Sequence, residues 1–185
     1  MLVGGAAVQW LRDGLGIIET AAESETLARE VDSTGGVFFV PALTGLGAPY
    51  WDAEARGLIS GLTRGTTRAH LVRATLEAIA HQVADVIDVL PIEADVLRAD
   101  GGATANGFLM QFQADVIQSP VEVAADADAT ALGAAALAGL ATGVWRDVDE
   151  VQALLRRGPR YEPSLSETDA ARLRDDWRQA LRRAR

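Results

Sequence analysis

Between residues 70 and 90 apolar side chains return every three or four positions, at Val72, Leu76, Ile79, Val83, Ile87 and Leu90. That spacing predicts an amphipathic helix of about 31 Å. Glu77, His81, Asp85 and Asp88 line another face of it, which reads as a solvated one. The i, i+4, i+8 spacing of Glu77, His81 and Asp85 would suit a metal, but there is no second histidine nearby, so no metal site is predicted. The same three-and-four step predicts shorter helices over 5–14, where Gly14 stops the pattern, over 23–31, and over 108–118. An alanine-rich helix follows over 130–143, and a final one runs to Arg185 from a capping box made by Ser166 and Asp169. Short apolar runs at 37–40, 58–60, 96–100 and 121–123 read as strands, with turns at 32–36 and 126–128 and a linker over 158–163. Strand and helix alternate in short units, which is an α/β pattern.

Composition narrows what such a chain can do. At 185 residues, 49% hydrophobic and 23% charged, one domain with a real core is expected. The formal net charge of −9 argues against nucleic acid or an anionic membrane as partner. There is no cysteine, hence no disulfide, thiolate metal site or thiol nucleophile. All 17 basic residues are arginine, which removes a phosphate-loop lysine and any Schiff-base chemistry. The N-terminus lacks the basic and apolar regions of a signal peptide, and the longest uncharged run, 129–145, is too weakly apolar to span a bilayer. A cytoplasmic protein is expected. Gly139 and Gly143 in that run predict a small-residue helix lying close on a sheet. Nine of the arginines lie from Arg156 onward, and they read as a solvated helical tail and not as a nucleic-acid arm.

Candidate chemistry centres on Ala99-Asp100-Gly101-Gly102-Ala103-Thr104-Ala105-Asn106, a strand end, paired glycines and a helix start. Glycines there let the backbone approach a flat or charged ligand, and the N-terminus of the following helix offers unpaired N–H groups to an anion. A nucleotide fits this arrangement; plain turn chemistry produces it too. Gly101-Gly102 lacks the G-x-G-x-x-G spacing of a dinucleotide fold. Thr44 to Asp52 (TGLGAPYWD) is a second candidate, either a working loop or an aromatic-anchored loop that packs on its own domain. Asp32-Ser33-Thr34-Gly35 precedes its strand and reads as a turn.

With these segments in place the chain resembles the C-terminal part of the FGGY family of carbohydrate kinases, in its glycerol kinase branch. The motifs are Gly57 to Leu62 followed by His70 to Glu77, TGLGAPYWD at 44–52 with Ala55-Arg56-Gly57, Asp100 to Asp115, and Thr130 to Ala135. They cover about residues 5–145 and weaken beyond. The resemblance implies a ribonuclease-H-like (actin-like ATPase) α/β fold, truncated at its N-terminal strands with only the end of the third at 2–5. It implies ATP and Mg2+ as cofactors, and transfer of the γ-phosphate to glycerol. It assigns nucleotide binding to Gly5, Gln9, Gly102 and Asn106, and no catalytic residue. The aspartate base and the glycerol-binding motifs precede the matched region in the family, so the chain alone is expected to be inactive. The alternative is a non-catalytic nucleotide-binding or interaction module derived from such a kinase. The expected division is an ATP-binding part over 1–157 and a linker with a C-terminal helix over 158–185. Strand 96–100 is expected to have a bare edge and the long helix to expose Leu76, Ile79 and Val83, which predicts self-association.

Overall fold

The computed structural model describes residues 4–91, 95–125, 129–154 and 157–185; the turn read at 126–128 and part of the strand end read at 2–5 lie outside them. Its centre is helix α3 (Arg68–Ile87), flanked by α1 (Gly5–Asp13) and α2 (Glu23–Arg29) and by α4 (Gly107–Ile117). α3 begins two residues before the periodic pattern does because His70 closes a capping box. Its Nδ1 accepts from the Thr67 backbone N–H at 3.2 Å. The main core joins Leu76, Ile79 and Ala80 of α3 to Phe108, Leu109 and Phe112 of α4, with Val37, Phe39 and Val121. Leu76 and Ile79 are therefore buried and Val83 half-buried, against the expectation of exposure. Helices cover them, so their burial does not depend on a wider sheet.

Strand β1 (Phe38–Val40) pairs antiparallel with β2 (Leu58–Ser60), Phe39 opposite Ile59. β3 (Leu97–Ala99) runs through the turn and α4 into the parallel strand β4 (Val121–Ala124), a short βαβ crossover. Where the sequence reads a linker, the structure has strand β5 (Arg157–Tyr161), antiparallel to β4 with an irregularity between Glu122 and Ala124. Gly158 permits that approach, since a Cβ there would stand 2.4 Å from the Val123 carbonyl oxygen. The sheet order β3-β4-β5 leaves β3 at an edge.

Helix α5 (Ala129–Thr142) does not lie close on the sheet. No described element packs extensively on it, Leu137 is 71% exposed, and among its described side chains and glycines only Gly139 is buried. The close approach that Gly139 permits is to Trp145, whose ring a Cβ would meet at 2.2 Å. A short helix α6 (Val148–Leu154) leads on to β5.

The final helix α7 (Glu167–Arg183), capped by Ser166 Oγ accepting from the Asp169 N–H, is no solvated tail. It buries Ala170, Arg174, Trp177, Ala180 and Leu181, packing on α3, α4 and β1, and leaves Arg172, Arg178, Arg182 and Arg183 outside. The polar face of α3 is correspondingly buried, contrary to the solvated reading: Glu77, His81 and Asp85 are all at least nine-tenths covered. Arg174 explains most of this. Its Nη2 lies 2.6 Å from Asp85 Oδ1 and 2.8 Å from Asp88 Oδ2, and its Nη1 donates to the His81 carbonyl at 2.9 Å. Trp177 donates its indole N–H to Asp85 Oδ2 at 2.8 Å and stacks on the His81 ring.

Burial, then the positive charges of Arg174 and Arg178, holds the His81 imidazole neutral, well below its ordinary range. The unfolded chain takes up this proton below pH ~6.5 while the folded chain does not. Stability should therefore fall as pH drops through 6.5, by up to about 1.4 kcal/mol per pH unit for one proton. The groups around the ring are Asp85 and Asp88 on α3 and Arg174 and Arg178 on α7. Thermal unfolding of the parent and of His81→Phe from pH 7 to 5 isolates the contribution. The variant should lose less stability across that range, and identical pH profiles would contradict the assignment.

Candidate functional site

Strand β3 delivers the chain to Asp100, whose Oδ1 accepts from the Gly101 N–H at 2.6 Å. Gly101 has φ +97°, a conformation that favours glycine. Gly102–Ala105 is a single 3-10 turn, tied back by the Thr104 N–H and hydroxyl, both donating to the Gly101 carbonyl. Both glycines are exposed, and a Cβ on either would meet nothing within 4 Å. Among the described residues nothing stands in front of the backbone here.

Asn106 ends the turn and caps α4, its Oδ1 accepting from the Leu109 N–H at 2.9 Å. Its Nδ2 donates to Ser24 Oγ of α2 at 3.2 Å. Next to it the Gly107 N–H donates to Glu25 Oε2 at 3.0 Å. Burial alone would raise the Glu25 carboxyl, but Arg29 and the N–H groups of Gly107 and Phe108 outweigh it and hold the carboxyl below its usual range. The start of α4 is thus occupied by protein acceptors and offers no free donors to an anion, as the sequence had suggested it would. What remains open is the Gly101–Gly102 turn.

Gly5 and Gln9, four residues apart, lie on the exposed face of α1, whose other face buries Ala7 and Leu11. A Cβ at Gly5 would meet nothing, and the Gln9 amide makes no hydrogen bond among the described residues. The structure thus places the four predicted residues in two groups, Gly102 and half-buried Asn106 at the β3–α4 turn and Gly5 and Gln9 on the exposed face of α1. Sequence reasoning missed Ser24 and Glu25. Their only local signal was the i, i+4 pair of Glu25 with Arg29.

The 44–52 loop is closed on itself by reciprocal backbone hydrogen bonds between Leu46 and Asp52, 2.7 and 2.9 Å. Arg185 sits 5.2 Å over the Tyr50 ring, and Trp51 is 78% exposed. Between this loop and α7 lies a cavity of about 310 Å³ lined by Tyr50, Asp85, Asp88, Arg178 and Arg185 among others. Burial, followed by Asp85, raises the Tyr50 hydroxyl well above its ordinary range. Among the described residues no three His, Asp or Glu side chains gather to hold a metal, and no helix is long and apolar enough to cross a membrane.

The model of the C-terminal domain of FGGY carbohydrate kinases matches residues 1–142. The chain belongs to the FGGY family of carbohydrate kinases. It is 55% identical to glycerol kinase 2 of Thermotoga maritima over 188 residues and 52% identical to the glycerol kinase of Solidesulfovibrio magneticus over 189. In both cases all of this chain is covered but only 38% of the relative. The chain thus spans about two-fifths of the length of the curated relatives it matches, and the similarity continues past residue 145. Among solved structures, the glycerol kinase of Plasmodium falciparum with ADP superposes with a TM-score of 0.90 at 38% identity, over 97% of this chain and 37% of that one. A xylulose kinase from Lactobacillus acidophilus gives 0.82 at 26%, with the same coverage of both chains. The α/β architecture is that of the C-terminal domain of these kinases, an actin-like ATPase fold.

Proposed function

We propose that this chain is the nucleotide-holding part of a cytoplasmic glycerol kinase, and that its share of the reaction is to bind ATP through Gly102 and Asn106 on one turn and Gly5 and Gln9 on another. The observation that carries this reading is the Gly101–Gly102 turn, exposed and free of any protein group in front of it among the described residues, in a chain similar to a kinase that has been solved with ADP. Gly102 lets a flat base or ribose lie on the backbone; Asn106 sits at the edge of the same turn, and Gln9 has an unengaged amide to offer. Mg2+ enters as the nucleotide's own counter-ion. Magnesium is commonly held by phosphate oxygens with one or two carboxylates, and needs no preformed protein cage.

Phosphoryl transfer depends on positioning and on charge neutralisation around the γ-phosphate. These 185 residues bring the nucleotide. Glycerol, and the aspartate that takes the proton from its hydroxyl, are assigned to the preceding part of the kinase. Taken alone, these 185 residues leave β3 at an edge among the described strands and are expected to self-associate.

Gly102→Val tests the site. No φ strain arises at this glycine and nothing crowds its Cβ, so the fold should tolerate the change. ADP affinity measured by calorimetry should fall at least about tenfold, a loss of ~1.4 kcal/mol, with the far-ultraviolet circular dichroism unchanged. Unaltered affinity in a folded variant would refute the assignment.

A further inference from the structure

The turn between β3 and α4 is held by few bonds of its own, and its far end is anchored from outside. That anchor is α2. Glu25 divides its two oxygens, Oε2 taking the Gly107 N–H at 3.0 Å and Oε1 taking Arg29 Nη2 at 2.8 Å and Nε at 3.1 Å. Ser24, 1% exposed, takes the Asn106 amide on its hydroxyl oxygen and donates its own proton to the Ala21 carbonyl. Glycine at 107 eases so close an approach, since a Cβ there would stand 3.1 Å from Glu25 Oε1 and the carboxylate would have to give by a few tenths of an ångström. α2 is fixed in turn to the central helix. Arg73 of α3 donates to the Val31 and Ala28 carbonyls, pairs with Glu77 at 2.8 Å, and stands 5.0 Å over the Phe108 ring.

We infer that Glu25, assisted by Ser24, is a positioning residue for the nucleotide turn: from α2 it holds the Asn106–Gly107 corner and so sets where Gly101–Ala105 stand, without touching the nucleotide. This rests on the reading of the turn as a nucleotide site. The carboxylate has a second effect at that corner. A helix N-terminus attracts phosphate, and a fixed negative charge on the first N–H groups of α4 closes that place to it. The nucleotide is thereby directed to the glycine turn.

The test measures MgADP affinity by calorimetry and the thermal midpoint for the 185-residue chain and its variants. Glu25→Ala removes the acceptor and should weaken MgADP binding about tenfold, the size of a lost charge-assisted hydrogen bond. Glu25→Gln keeps an oxygen for the Gly107 N–H and should stay within about threefold of the parent, since only the charge is lost. A merely structural Glu25 would lower the thermal midpoint in both variants and leave the affinity of folded protein as it was. Parent affinity in folded Glu25→Ala, beside a weakened Gly102→Val, overturns the role of Glu25 and leaves the site standing. A parent that binds no MgADP, or a Gly102→Val that binds as well as the parent, overturns the site itself and the inference with it. If Glu25→Ala does not fold, Ser24→Ala decides: binding about threefold weaker supports the inference, as for one modest hydrogen bond, and unchanged binding refutes it.

Discussion

Arg174→Ala is expected to remove about 3–5 kcal/mol of stability, the usual consequence of breaking a buried ion pair from one side. Arg174 is 5% exposed and supplies the cation for Asp85, which is 4% exposed, together with a hydrogen bond to the His81 carbonyl. Its removal leaves the Asp85 charge in the core facing the Trp177 indole N–H and the Tyr50 hydroxyl, without its paired guanidinium. Against a total of ~5–15 kcal/mol for an ordinary domain, that loss is a large share of the stability. Arg174→Lys should recover only part, because an ammonium cannot reproduce a planar fork that reaches Asp85, Asp88 and a carbonyl together. Equilibrium urea unfolding supplies the number. A loss under about 1 kcal/mol would mean that the network stabilises no more than an exposed pair does.

The second large effect is catalytic. The 185 residues alone, with ATP, magnesium and glycerol, should release no glycerol-dependent ADP in a coupled assay. Joined to the preceding part of a glycerol kinase, they should support turnover in the range of ~1–100 s⁻¹ common to kinases. Placing Gly102→Val in the joined protein should raise KM for ATP while leaving that for glycerol near the parent value, because the substitution lies on the nucleotide side. Glycerol-dependent turnover by these residues alone, within a hundredfold of the joined protein, would show that a base is present among them. A joined protein that binds nucleotide and never phosphorylates glycerol would favour the non-catalytic module.

Much of this was legible in the residues. Gly5 and Gly14 bracket α1 as read, the strand at 58–60 has the same bounds, and the glycine pair lies between strand and helix. Burial of charge was not legible. Glu77, His81 and Asp85 read as a wet face because polarity along one helix carries no information about a cation 89 residues away. The stripe of Ala170, Arg174, Trp177 and Leu181 was present in the final helix, but nine arginines in that region drew the reading toward solvent. The Glu25 to Gly107 bond spans 82 residues and has no local signature. For α5 the error ran the other way. Alanine and glycine suggest close packing wherever they gather, yet packing needs a partner, and among the described residues no element packs extensively on α5.

The seam between α3 and α7 also sets an order of events during synthesis. Asp85 leaves the ribosome long before Arg174, so for the time needed to translate the intervening residues the nascent chain carries the acid without its cation. Domains generally fold as units, N-terminal parts first as they emerge. Here α1, α2 and α4 can pack on α3 first, but the face carrying His81 and Asp85 stays uncovered until α7 has emerged. Quality control therefore meets this polypeptide with that face still uncovered, and a product truncated before Arg174 would have every part of the glycine turn and no cation with which to bury Asp85.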